Sequence, residues 1–177
     1  MRHKMVKNAP TKKTVVFSHG KESGPWGIKI TRLARVAQEL GFAVLSIDYR
    51  GVDDPLERVR MLLAQCPANG GLTVLAGSSM GGSVSLVAAE RIRPAGLFLM
   101  APAIGIPGYP AVPPVPGAPP TVIVHGWDDD IVPPGPVIDY ARQHRAELVM
   151  VPDGHTLEQS LDFLAYRFRH FLESLGS

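Results

Sequence analysis

Short apolar runs alternate along the chain with longer segments whose apolar positions recur every three or four residues. Thr14-Val15-Val16-Phe17 is β-branched and apolar and ends in Ser18-His19-Gly20, which predicts a buried strand closed by a turn. Lys21-Glu22-Ser23-Gly24-Pro25-Trp26-Gly27 reads as a loop by its Gly and Pro. Over residues 28–40, Ile30, Leu33, Ala34, Ala37 and Leu40 fall at helical spacing, and Gly41 stands where such a helix would end. Phe42-Ala43-Val44-Leu45-Ser46-Ile47 predicts a second strand, running into Asp48-Tyr49-Arg50-Gly51. A helix over 55–65 has Pro55 in its first turn, and Asn69-Gly70-Gly71 then turns into the apolar run Leu72-Thr73-Val74-Leu75-Ala76.

The second half repeats the scheme. A helix is predicted over 82–90, strands over 96–100 and 121–124, a helix over 135–143, and a strand over 147–151. A last helix is predicted over 157–175, with a stripe of Leu161, Leu164, Phe168, Phe171, Leu172 and Leu175. Strands of near-continuous apolar residues separated by helices predict a parallel sheet of six strands covered on both faces. Residues 102–120 break the pattern with eight prolines, which no ordinary helix tolerates.

Composition narrows the picture. A chain of 177 residues with 45% apolar and 19% charged residues is expected to form one domain, residues 14–177. Of the 18 Lys and Arg, five lie in residues 1–13 with no acid among them, so the rest holds 13 bases against 16 acids. The basic balance therefore belongs to an expected flexible leader, residues 1–13, and no folded basic face points to nucleic acid. The lone Cys66 cannot form an internal disulfide and reads as a small packed hydrophobe. No apolar stretch approaches the ~20 residues of a membrane span, and the basic first residues lead into no apolar signal region, so the expected location is cytoplasmic.

The reactive side chains gather just past the carboxyl ends of predicted strands: His19, Ser79, His125 with Asp128, Asp129 and Asp130, and His155. In an open parallel sheet that edge is where ligands bind. Gly77-Ser78-Ser79-Met80-Gly81 lies between a strand and a helix, where G-x-S-x-G holds a serine hydroxyl on a strained turn. A serine needs an imidazole to remove its proton, and the imidazole needs a carboxylate to hold its tautomer. Ser79, an aspartate of 128–130 and His155 follow one another in the order suited to that motif. His19 and His125 each sit in a His-Gly turn and read as structural; no short ligand spacing supports a metal site. Trp26, Tyr109 and Trp127 fall in loops at the same edge and are candidates to line a pocket.

On these motifs the chain resembles the α/β-hydrolase superfamily, and among it the small lidless dienelactone-hydrolase-like and carboxylesterase-like members. Phe17-Ser18-His19-Gly20 is similar to the family's oxyanion-loop turn, Gly77-Ser78-Ser79-Met80-Gly81-Gly82 to its nucleophile turn, and Gly154-His155 to its histidine loop. His125-Gly126-Trp127-Asp128-Asp129-Asp130-Ile131-Val132-Pro133 is similar to its acid loop; the motif's aspartate falls on Asp129, with Asp128 and Asp130 as alternatives. The resemblance implies a three-layer α/β/α fold with strands ordered second, first, third, fourth, fifth, sixth, lacking the family's first two strands and a cap. It implies a serine hydrolase with Ser79 as nucleophile, His155 as base, Asp129 as orienting acid, and the Lys21 and Met80 amides as oxyanion donors. Its substrate would be a small ester or thioester, with no cofactor and no metal. The alternative is a hydrolase-fold binding or regulatory protein without significant turnover, with the proline-rich stretch as its recognition surface.

Overall fold

A computed structural model describes residues 12–67, 71–110 and 119–176. Residues 1–11 of the expected leader, the Asn69-Gly70 turn, residues 111–118 of the proline-rich stretch and residue 177 lie outside the described residues. The elements alternate: β1 (Lys13–Ser18), α1 (Ile28–Glu39), β2 (Ala43–Ile47), α2 (Pro55–Gln65), β3 (Leu72–Ser78), α3 (Met80–Ile92) and β4 (Gly96–Met100). Then come β5 (Thr121–Gly126), α4 (Pro134–His144), β6 (Glu147–Val151) and α5 (Leu161–Ser174). The strands form one parallel sheet in the order β2-β1-β3-β4-β5-β6, as the resemblance implies.

The apolar runs become strands because both faces of the sheet are covered. Side chains alternate between the faces. Val15, Phe17, Val74, Ala76, Phe98, Met100, Val122 and Val124 point to one side, where they pack with Leu33 and Ala37 of α1 and Leu164, Phe168 and Phe171 of α5. Phe98 and Phe168 meet edge to face at 4.9 Å. Val16, Leu75, Leu97, Leu99 and Ile123 point to the other side, against Leu62 of α2, Val84 and Ala88 of α3, and Val137 and Ala141 of α4. The result is three layers, helices on both sides of the sheet.

Direction of winding reverses at β1, which pairs with β2 on one side and β3 on the other; Val16 stands opposite both Leu45 and Leu75. Loops leaving β1 and β3 therefore part to opposite faces and leave a crevice at their carboxyl ends. Between β4 and β5, the described residues 101–110 and 119–120 run as loop, and no cap domain stands over this edge among the described residues. None of the described helices is long and apolar enough to cross a membrane.

Most element ends fall within two residues of the pattern, and two helix starts differ by two residues or more. The helix after Ser79 starts at Met80, two residues before the first residue of the periodic segment. The last helix starts at Leu161 instead of 157. Leu157 is fully buried but takes a φ of 55°, in a turn that helical hydrogen bonding cannot pass through. The Asp153 carboxylate shapes that turn by accepting hydrogen bonds from the backbone N–H of Gly154 and of Ser160.

Candidate functional site

At the end of β3 the chain turns directly into α3 through Ser79, whose φ of 53° and ψ of −120° lie outside the regions a side chain ordinarily adopts. Strain of this kind costs on the order of 1–3 kcal/mol and needs support from neighbours. Ser79 N–H donates to the carbonyl of Met100 at 3.0 Å, and Ser79 C=O accepts from the N–H of Ala103 at 3.0 Å, so the end of β4 grips the turn on both sides. The turn also requires its glycines. A Cβ on Gly77 would lie 2.4 Å from the carbonyl oxygen of Gly81, and one on Gly81 would lie 2.0 Å from that of Ser18.

Three loops bring the sequence candidates together. Ser79 Oγ lies 2.9 Å from His155 Nε2, and His155 Nδ1 lies 2.8 Å from Asp129 Oδ2. Asp129 is buried, and its other oxygen accepts from the N–H groups of Ile131 (3.0 Å) and Val132 (2.7 Å). With Oδ2 a carboxylate acceptor, Nδ1 carries a proton, Nε2 is left as an acceptor, and Ser79 O–H donates to it. Asp128 and Asp130 are exposed and take no part.

Beside Ser79, α3 begins without partners for its first amides. The N–H groups of Gly82 and Ser83 donate to Ser79 C=O, whereas those of Met80 and Gly81 have no acceptor among the described residues. The N–H of Lys21, past the end of β1, is likewise without an acceptor among them. Unpaired amides at a helix N-terminus favour an anion there. The Lys21 side chain points elsewhere, making an exposed 3.9 Å pair with Asp53.

His19 and His125 are fully buried and bonded to backbone, the structural roles expected of them. His19 Nδ1–H donates to Gly20 C=O at 2.7 Å, and its Nε2 accepts from Tyr49 N–H at 2.9 Å. His125 Nε2–H donates to Val132 C=O at 3.0 Å. Burial lowers the pKa of both. Among the described residues no three His, Cys, Asp or Glu side chains are grouped to hold a metal ion.

Ser79 and His155 open on a cleft of about 520 Å³. Ile28, Ile30, Tyr109 and Ile131 supply apolar walls, and Gly20 and Lys21 line it beside Ser79. Trp26 and Trp127, 55% and 56% exposed, do not line it. Sequence reading missed Lys29, which also lines the cleft; burial lowers its pKa to about 8 against the opposing pull of Glu158, Asp129 and Asp153. It precedes the buried Ile30 on α1, and neither its type nor its spacing signals a place in the cleft.

Comparison with known proteins follows the same lines. A family model for the alpha/beta hydrolase family matches residues 15–173. The crystal structure of an alpha/beta hydrolase superfamily protein from Xanthomonas campestris pv. campestris is 33% identical, with a TM-score of 0.85, and the match covers 92% of this chain and 99% of that one. Another Xanthomonas campestris protein, a member of the a/b serine hydrolases without lid, is 26% identical with a TM-score of 0.71 over 95% of this chain and 84% of that one. Est1E from Butyrivibrio proteoclasticus shares the fold at 19% identity and a TM-score of 0.77, over 95% and 90% of the two chains. No curated protein matches the chain.

Proposed function

The chain belongs to the alpha/beta hydrolase family, and from that premise we propose that it is a serine hydrolase that cleaves an ester or thioester bond of a small substrate through an acyl-enzyme intermediate. One observation carries the reading: two hydrogen bonds run from Ser79 Oγ through His155 to Asp129, beside the unpaired amides of Lys21 and Met80. A lidless serine hydrolase at 26% identity supports it.

The chemistry follows from the hydrogen bonds. Ser79 Oγ attacks the substrate carbonyl carbon while its proton passes to His155 Nε2. Asp129 holds Nδ1–H and stabilises the imidazolium without taking its proton. The carbonyl oxygen becomes an anion and is met by the amides of Met80 and Lys21. Collapse of this intermediate breaks the bond to the alcohol or thiol, which leaves with the proton from His155 and an acyl group on Ser79. Water then attacks that ester, its proton taken by His155, and the acid departs with Ser79 restored.

A fluorophosphonate probe is expected to label the protein at Ser79, and Ser79→Ala is expected to lose both label and ester turnover. Turnover undiminished in folded Ser79→Ala would sink the proposal. Absence of label in the folded wild-type chain would favour the binding role instead.

A further inference from the structure

Behind the Lys21 amide lies a buried cation that the steps above do not use. Arg58 of α2 is 1% exposed and forms no ion pair among the described residues. Its guanidinium donates to three backbone carbonyls instead: Nε–H to Val52 at 2.7 Å, and Nη1–H to His19 at 3.2 Å and to Gly20 at 3.3 Å. The same group lies over the Tyr49 ring, 5.1 Å from its centroid. A guanidinium without a carboxylate partner is unfavourable in an interior, and bonds to carbonyls are the compensation open to it.

The carbonyl of Gly20 is thus held twice, by Arg58 and by the Nδ1–H of His19 at 2.7 Å. The second bond has one possible polarity, because His19 Nε2 accepts the N–H of Tyr49 and Nδ1 must carry the proton. Gly20 C=O and Lys21 N–H belong to one peptide unit, and no peptide bond among the described residues is cis. In a trans peptide the two groups point in opposite directions. Fixing the oxygen therefore fixes the direction of the N–H. This peptide abuts the nucleophile turn, since a Cβ on Gly20 would stand 3.4 Å from Ser79 Cβ. A cation on the oxygen also draws electron density from the peptide and makes its N–H a stronger donor.

We infer that Arg58, together with His19, is a positioning residue that holds the Gly20–Lys21 peptide from behind so that the Lys21 N–H meets the oxyanion. The inference rests on the serine-hydrolase reading for its function, though not for its geometry. It accounts for an arginine at this place: only a planar fork can reach Val52 through one nitrogen and two successive carbonyls through another.

The test uses the full chain with Arg58→Met and Arg58→Lys, folding checked by thermal melting, p-nitrophenyl acetate as substrate, and the Lys21 amide resonance followed by NMR without substrate. A donor that acts on developing charge affects kcat. Arg58→Met is therefore expected to lower kcat roughly 10- to 100-fold at nearly constant KM, with a displaced Lys21 resonance. Arg58→Lys is expected to recover part of the loss. If Arg58→Met does not fold, Arg58→Gln, which removes the charge and keeps an amide donor, takes its place with the same readouts. A folded variant with wild-type kcat and an unmoved Lys21 resonance overturns the inference, as does a rise in KM at constant kcat. Failure of the wild-type chain to take a fluorophosphonate label overturns the serine-hydrolase reading instead, and the Lys21 resonance still decides whether Arg58 orients that peptide.

Discussion

Asp129 shows how backbone decides what a side chain can do. Two backbone N–H groups hold its Oδ1, so only Oδ2 remains for His155. In Asp129→Asn the same two donors would keep the amide oxygen on their side and turn the NH2 toward His155. Nδ1 would then have to accept, the proton would move to Nε2, and Nε2 could no longer take the proton of Ser79. The expected result is a fall in kcat of about 10⁴-fold with stability little changed, read from ester turnover and a thermal melt; a loss below 10-fold would contradict this role for Asp129. At this scale the sequence was legible where residue type and spacing coincide, as in Ser79, Asp129 and His155. It was not legible for Arg58 or Lys29. By type both belong on a solvated face; carbonyls 38 and 39 residues away hold the buried Arg58, and the half-buried Lys29 lines the cleft together with His155, Thr156 and Glu158.

Elements place these residues by meeting at backbone distance. The first turn of α3 is pressed against the end of β1, and Gly81 is the point of contact. The atom that a Cβ would strike there is the Ser18 carbonyl oxygen, part of a strand and unable to change rotamer. Gly81→Ala is therefore expected to destabilise the fold by about 1–3 kcal/mol or more, read as a lowered urea midpoint, and to slow fluorophosphonate labelling because Ser79 moves with α3. A midpoint equal to wild type would mean that the junction is looser than its geometry. The strands were the most readable elements, since burial on both faces leaves little room for polar residues. Reading failed at the start of α5, for a reason that periodicity does not carry. Leu157 continues the apolar stripe backward, yet it occupies a turn organised by the Asp153 carboxylate.

For the whole molecule, the cleft's demands enter the stability of the fold through Lys29. Its pKa is lowered from the ordinary 10.5 to about 8, with burial as the first cause. A lysine that resists protonation when folded destabilises the native state wherever the unfolded chain is protonated. Below pH 8 both states hold the proton and the penalty is complete. Between about 8 and 10.5 the unfolded state binds more protons than the folded one, so the contribution of this group to stability rises with pH; above 10.5 neither state is charged and the penalty is gone. Tyr49 and Tyr140, each pushed up to about 12 by burial, act in the opposite sense as pH nears 10, where tyrosine ionises in the unfolded chain and not in the folded one; a comparison of wild type with a variant that keeps both tyrosines cancels their effect. Lys29→Met keeps the bulk of the stem and removes the charge. It is expected to be more stable than wild type at pH 7 by on the order of 1–3 kcal/mol, and the advantage should shrink as pH approaches 10.5. Paired urea titrations at pH 7 and pH 10 measure it. An advantage equal at both values would assign the gain to apolar packing, and a variant less stable at pH 7 would mean that Glu158, Asp129 and Asp153 outweigh the cost of burial.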